Sequence, residues 1–197
     1  MKISLNWLND YIETGLDAQR ISEILSDLGF PCEGIEKLKD DTVVDIEVTS
    51  NRGDCLGYIG VARELAVATG KELKLPVVKL DESGTDVKML ASVEILEPEL
   101  CGRYTARVVE GVKIGPSPEW LRSRLELVGC RTVNNVVDIT NYCLYELGEP
   151  LHAFDLDALS PGEVVVRRAR QGEKITTIDG QQRQLNPSVL VIADSQK

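Results

Sequence analysis

The sequence predicts an α+β fold, a small helical and strand N-terminal module followed by a mixed α/β domain. Three observations lead there. Hydrophobic periodicity switches between helical spacing and strict alternation along the 197 residues, capping side chains and glycine stops bracket the helical stretches, and a Pro- and acid-rich stretch near residue 80 divides the chain. Hydrophobic residues make up 43% and charged residues 27%, which excludes a disordered or fibrous protein.

Ser4 can cap a helix whose Leu5, Leu8, Tyr11 and Ile12 share a face, and Asp17 can cap another carrying Ile21, Ile24, Leu25 and Leu28, ended by Gly29. From Val44 the period becomes two, with Val44, Ile46 and Val48 opposite Asp45 and Glu47, so a half-buried strand is expected. The polar loop from Thr49 to Asp54 leads to a helix over residues 59–69, with Gly70 beyond its end. Pro76, Asp81, Glu82, Ser83 and Gly84 read as a linker.

The second region starts with a strand over residues 92–96, breaks at Glu97-Pro98, and resumes as a strand in which Tyr104, Ala106 and Val108 alternate with Arg103, Thr105 and Arg107. Ser117, with Pro118 at the first helical position, starts a helix bearing Leu121, Leu125 and Val128, ended by Gly129. Asn134 or Asn135 can cap the next helix, whose Val136, Ile139, Cys143, Leu144 and Leu147 share a face up to Gly148. After Pro150 strands return at Val164 and Val166, then in a hairpin with a two-residue turn at Asp179-Gly180, then over residues 189–193. Only Asp194-Ser195-Gln196-Lys197 follow, so the second domain is expected to be incomplete at its C-terminus.

The net charge of −10 and a pI near 4.7 argue against a protein that coats nucleic acid by bulk charge. Residues 1–90 hold 10 basic against 17 acidic side chains and residues 91–197 hold 12 against 15, so the second region is the less repulsive surface for phosphate. Five widely spaced cysteines with no CxxC, beside a single histidine, fit neither a zinc site nor a disulfide framework. No apolar run approaches the ~18 residues of a membrane span, and Met1-Lys2-Ile3-Ser4-Leu5 opens directly into an amphipathic pattern. A reduced, cytoplasmic protein without membrane contact is expected.

Four motifs occur in order: Ser4-Leu5-Asn6-Trp7-Leu8, the stretch from Val48 through Asn51-Arg52-Gly53-Asp54-Cys55 to Leu56, the stretch from Asn134 to Tyr142, and Pro150-Leu151-His152-Ala153-Phe154-Asp155. Together, and with Val191-Ile192-Ala193-Asp194 near the end, they resemble the N-terminal part of the bacterial phenylalanyl-tRNA synthetase beta subunit. The resemblance implies residues 1–75 as the small N-terminal module, 76–90 as linker, and 91–197 as the first part of a tRNA-editing domain. It implies a fragment that supports charging of tRNA(Phe) and contributes half of the site that hydrolyses mischarged tyrosyl-tRNA(Phe). Its partners would be a catalytic alpha subunit, in a heterotetramer of two alpha and two beta, and tRNA(Phe). ATP and Mg2+ would serve the whole enzyme, with no cofactor or metal held by this chain, which alone would be inactive.

The sequence departs from that family in three respects. Members commonly insert an OB-fold between Gly34 and the strand at Val43, where this chain has only Ile35 to Thr42. Gly53 stands where proline is usual and Glu149 where glutamine is frequent. The chain also ends before the glycine-rich stretch and glutamate that complete the family's editing pocket.

Editing is needed because a hydrophobic pocket rejects poorly a molecule that merely adds a hydroxyl, whereas a second site can recognise that hydroxyl. Hydrolysis requires a placed water and groups that stabilise the oxyanion, and no covalent nucleophile. The family match puts His152 and Thr140 in the catalytic role, with Arg131, Asn141 and Pro150 binding substrate. Four of these have a blander reading: a hydrogen-bonded loop histidine, a threonine bonded back to its helix, an arginine answering a helix dipole, and an asparagine turned away by about 100°. Thr140 stands about 12 Å along the helix before Gly148, and the four residues onward to His152 span about 13 Å, so the two side chains can meet. Asn51 to Cys55 lacks the lysine–serine pair of a phosphate loop. Arg167, Arg168 and Arg170 form the densest basic cluster, but in a strand only Arg168 and Arg170 share a face, which reads as a solvated sheet face rather than a phosphate contact. The alternative is a noncatalytic scaffold or RNA-binding module.

Overall fold

The computed structural model describes residues 1–38, 40–82, 84–159 and 162–195, which divide into two compact units: Met1–Leu80 with Lys113–Ala153, and Asp81–Val112 with Phe154–Lys197. The α+β class is as expected, built from short helices and small open sheets. The unit boundaries differ from a division at 75 and 91, because residues 113–153 pack on the N-terminal residues.

The first unit begins with β1 (Lys2–Ser4), α1 (Leu5–Leu8) and α2 (Ala18–Asp27), followed by β2 (Cys32–Leu38), β3 (Asp41–Ile46) and α3 (Tyr58–Thr69). Ser4 Oγ accepts from Trp7 N–H and Asp17 from Arg20 N–H, so both expected caps form. α1 stops after one turn where a longer helix was expected, since Asn9 and Asp10 favour turns; Tyr11 and Ile12 still enter the core. The three strands order β1-β3-β2, all antiparallel, with Ile3 and Ile35 both opposite Val44. β2 escapes sequence reading because an edge strand with both faces wet carries no hydrophobic alternation. It joins β3 directly by a hairpin in the short connection noted above, of which Lys39 lies outside the described residues. Likewise Ser83 of the linker lies outside them, and its other described residues hold no strand.

The unit is completed by α4 (Glu119–Leu127) and α5 (Asn135–Leu147). The shared aliphatic face of α5 is not the one that packs on the core. Ile139, Leu144 and Leu147 are exposed, whereas Asp138 is 1% exposed and Tyr142 and Tyr145 pack against the core. Sequence periodicity favoured the aliphatic stripe; the winning stripe is aromatic, because Trp7 is stacked between Tyr58 at 4.1 Å and Tyr142 at 4.8 Å, with Trp120 edge-on to Tyr142. Trp7 Nε1–H donates to Tyr11 Oη, which donates to Glu146 on α5 at 2.6 Å, and Arg124 on α4 pairs with Asp10 at 2.6 Å. Two glycines permit close backbone approach: a Cβ at Gly57 would lie 2.5 Å from Gly148 N, and one at Gly60 would lie 1.8 Å from Asp54 O.

In the second unit β4 (Ser92–Ile95) runs parallel to β5 (Glu163–Arg168), which pairs antiparallel with β8 (Leu190–Ala193), and β6 (Lys174–Thr176) forms a hairpin with β7 (Gln182–Gln184). The expected strand at Tyr104 to Val108 is absent: the stretch is mostly exposed and belongs to no sheet among the described residues. The turn at Asp179-Gly180 is a three-residue loop, with Thr177 N–H donating to Gln181 O and Gly180 at φ 77°.

The arginines divide as strand alternation implies, with Arg168 and Arg170 exposed and Arg167 on the other face. Arg167 is buried and forks onto Glu173 at 2.8 Å through both terminal nitrogens, while Arg168 pairs with Glu97. The Glu173 carboxyl is held down at about 2 against an ordinary 4.5, chiefly by Arg167 and then by the Arg170 N–H. Because the folded value is depressed, this stabilisation is fully present above about pH 4.5 and is lost as pH falls towards 2. Glu173→Gln is expected to flatten that acid limb and to cost about 2 kcal/mol at neutral pH. Thermal melts followed on β5 amide NMR signals at low and neutral pH check this; an unchanged acid limb contradicts it.

Candidate functional site

α5 carries the centre of the candidate site and is fixed at both ends by its own sequence. Asn134 Oδ1 accepts from Val136 and Val137 N–H, and Asn135 clasps the incoming chain, accepting from Gly115 N–H at 3.1 Å and donating to Lys113 O at 2.9 Å. Both asparagines therefore work, where sequence reading left one of them to cap. At the other end Gly148 adopts φ 77°, a left-handed stop that only glycine takes readily, and releases the loop of residues 149–153.

Each expected site residue can now be placed. Arg131 is exposed in the loop before α5. Thr140 is half-buried and lies about 200° around the helix from buried Asp138, on the open side with Val136, Cys143 and Leu147. Its hydroxyl donates to Val137 O at 2.7 Å, the back-bonded geometry weighed above. Asn141 is half-buried, nearer the packed side. Pro150 and His152 are exposed in the loop after α5. The helix alone separates its ends by about 20 Å, so Arg131 stands at one end and Pro150 at the other, with Thr140 between.

The thiols of Cys130 and Cys143 are pushed up by burial, which keeps them protonated at neutral pH and unsuited as thiolate nucleophiles. Asp54, Cys55 and Glu64 bring ligand atoms within 4.8 Å of one another. That donor set is engaged by a guanidinium: Arg52 forks onto Asp54 at 3.0 Å and reaches Glu64 at 2.7 Å and Cys55 Sγ at 3.2 Å. Arg52 and Cys55 Sγ hold the Asp54 carboxyl down at about 2, and burial pushes the Cys55 thiol up to about 12. Asp54 is thus committed to an ion pair and does not cap α3, whose N-cap is Gly57 without a side-chain bond.

Two open concavities lie elsewhere. One of about 500 Å³ is lined by Ile175, Ile178 and Arg183 among others, and one of about 190 Å³ by Lys2, Ile35 and Val43 among others. Sequence reading missed Ser117 and Asp138. Ser117 does not cap α4, which begins at Glu119 after Pro118; it is buried and donates to Asp138 Oδ2 at 2.5 Å, while Val133 N–H donates to Oδ1 at 2.8 Å. The available signal was an acid in the first turns of an asparagine-capped helix.

Residues 100–197 match the B3/4 domain family. The chain is 49% identical over 195 residues to the phenylalanine–tRNA ligase beta subunit of Rhodopirellula baltica, covering 99% of this chain and 29% of that one. It is 54% identical over 157 residues to the same subunit of Syntrophus aciditrophicus, at 80% and 20% coverage, and 52% identical over 186 residues to that of Geobacter sulfurreducens, at 92% and 23%. The chain thus spans less than a third of the length of these relatives. No helix among the described residues is long and apolar enough to cross a membrane.

Proposed function

Because the chain belongs, over the segment it spans, to the phenylalanine–tRNA ligase beta-subunit family, we propose that it forms the N-terminal part of a longer subunit and contributes half of a site that hydrolyses tyrosyl-tRNA(Phe). The whole ligase would join two alpha and two beta subunits, charge tRNA(Phe) with phenylalanine using ATP and Mg2+ held outside this segment, and act in the cytoplasm. Residues 1–75 serve as its N-terminal module and 91–197 as the first part of its editing domain.

One observation carries the reading: the five candidate residues stand on one capped helix and the loops at its two ends, with Arg131, Pro150 and His152 exposed and Thr140 and Asn141 half-buried. Water adds to the ester carbonyl, the bond to the ribose oxygen breaks, and free tyrosine and uncharged tRNA leave. His152 and Thr140 orient the water or the ester, and Arg131 holds the tRNA terminus through its forked donors. Asn141 and Pro150 shape the site. The protonated thiols of Cys130 and Cys143 agree with direct attack by water.

In the assembled ligase, His152→Ala is expected to slow deacylation of tyrosyl-tRNA(Phe) by roughly tenfold to a hundredfold while phenylalanine charging stays near wild type. The 197-residue chain by itself is expected to be inactive. Lost charging with intact deacylation, or full turnover by the chain alone, contradicts the reading and favours the scaffold alternative.

A further inference from the structure

We propose that Asp138 is the positioning residue of the candidate site, its buried carboxylate fastening the loop that bears Arg131 to the helix that bears Thr140. The inference rests on the editing reading above. Asp138 is the one buried residue of α5 among the described residues. A carboxylate in such a place is unfavourable unless hydrogen-bonded, and a position that only filled space would take an apolar side chain. Here its two oxygens serve two different segments: Oδ2 receives the Ser117 hydroxyl that precedes α4, and Oδ1 receives the Val133 amide of the loop before α5.

The consequence for the site is geometric. Val133 follows Arg131 by two residues, so anchoring its amide confines the Arg131 backbone to within about 7 Å of that anchor. Thr140 lies two residues beyond Asp138 on the same rigid helix, about 3 Å further along the axis. Asp138 therefore fixes the arginine loop and the threonine in one frame, while Asn135 ties Lys113 and Gly115 to the same turn. Asparagine can keep the arrangement, since its carbonyl still accepts from Val133 N–H and the Ser117 hydroxyl can rotate to accept from its amide. Alanine cannot.

Two measurements separate this proposal from the reading it rests on. In the full chain, Asp138→Ala is expected to speed hydrogen exchange at the Val133 amide about tenfold, with Asp138→Asn close to wild type. In the assembled ligase, Asp138→Ala is expected to raise KM for tyrosyl-tRNA(Phe) about tenfold with kcat within about twofold, and Asp138→Asn to restore it. The Arg131→Ala and Asp138→Ala double variant should be no worse than Arg131→Ala, because both act through one contact. Additive losses, or unchanged Val133 exchange in Asp138→Ala, overturn the proposal. A wild-type ligase that does not deacylate tyrosyl-tRNA(Phe) instead overturns the editing reading, and the Val133 exchange ratio still decides the tether.

Discussion

Gly60→Ala is expected to lower the melting temperature of the chain by about 10 °C, corresponding to about 3 kcal/mol of overpacking. The added carbon would sit 1.8 Å from Asp54 O and 2.7 Å from Asp54 C, both main-chain atoms with no side-chain torsion to relieve them. α3 must then move away from the turn at Gly53–Cys55, and the Arg52 fork onto Asp54 and Glu64 spans that same seam. A neighbouring control is Gly53→Ala, where nothing lies within 4 Å of the added carbon. Circular dichroism melts of the two variants decide the matter; a Gly60→Ala melt matching that of Gly53→Ala contradicts the close approach.

Trp7→Ala is expected to cost about 3–5 kcal/mol, the usual range for deleting a fully buried large aromatic side chain. Trp7 is 0% exposed and stacks on Tyr58 and Tyr142, so its loss opens the seam between the N-terminal residues and α5. Arg124, 5.7 Å above the indole, loses its ring partner as well. Trp7→Phe keeps a ring in the stack but removes the donor to Tyr11, and should cost about 1 kcal/mol beyond the lost area. Urea titrations of both variants, compared with wild type, test the order. Equal destabilisation by alanine and phenylalanine would mean that stacking contributes nothing.

The sequence makes legible those elements whose determinants are local. Ser4, Asp17 and Asn134 announce their helices because each cap satisfies amide groups two or three residues away. Gly70 and Gly148 announce the stops for the same reason. What escapes depends on partners distant in the chain. The Tyr104 to Val108 alternation is real, yet a strand needs a neighbour, and none among the described residues supplies one. The aliphatic stripe of α5 satisfies every periodicity criterion, yet the stack on Trp7, more than a hundred residues earlier, chooses the other side. Alternation sets Arg167 apart from Arg168 and Arg170, yet its partner is known only once Glu173 folds back across a turn.

The candidate site follows the same division. His152, Thr140, Arg131, Asn141 and Pro150 come to attention through motif resemblance, and none of them has a local pattern that distinguishes a functional side chain from a solvated one. The Ser117–Asp138–Val133 link lies outside that reach, because its three members sit in separate segments and only the folded backbone aligns them.

The aromatic stack also settles what an optical experiment on this protein can see. Its two tryptophans, Trp7 and Trp120, both belong to the first unit, one sealed in the core and the other 56% exposed on α4. Tryptophan emission, excited where tyrosine does not absorb, therefore reports on the first unit alone. A soluble quencher addresses the Trp120 emission alone, and quenching of the remainder marks the moment at which the seam around Trp7 opens.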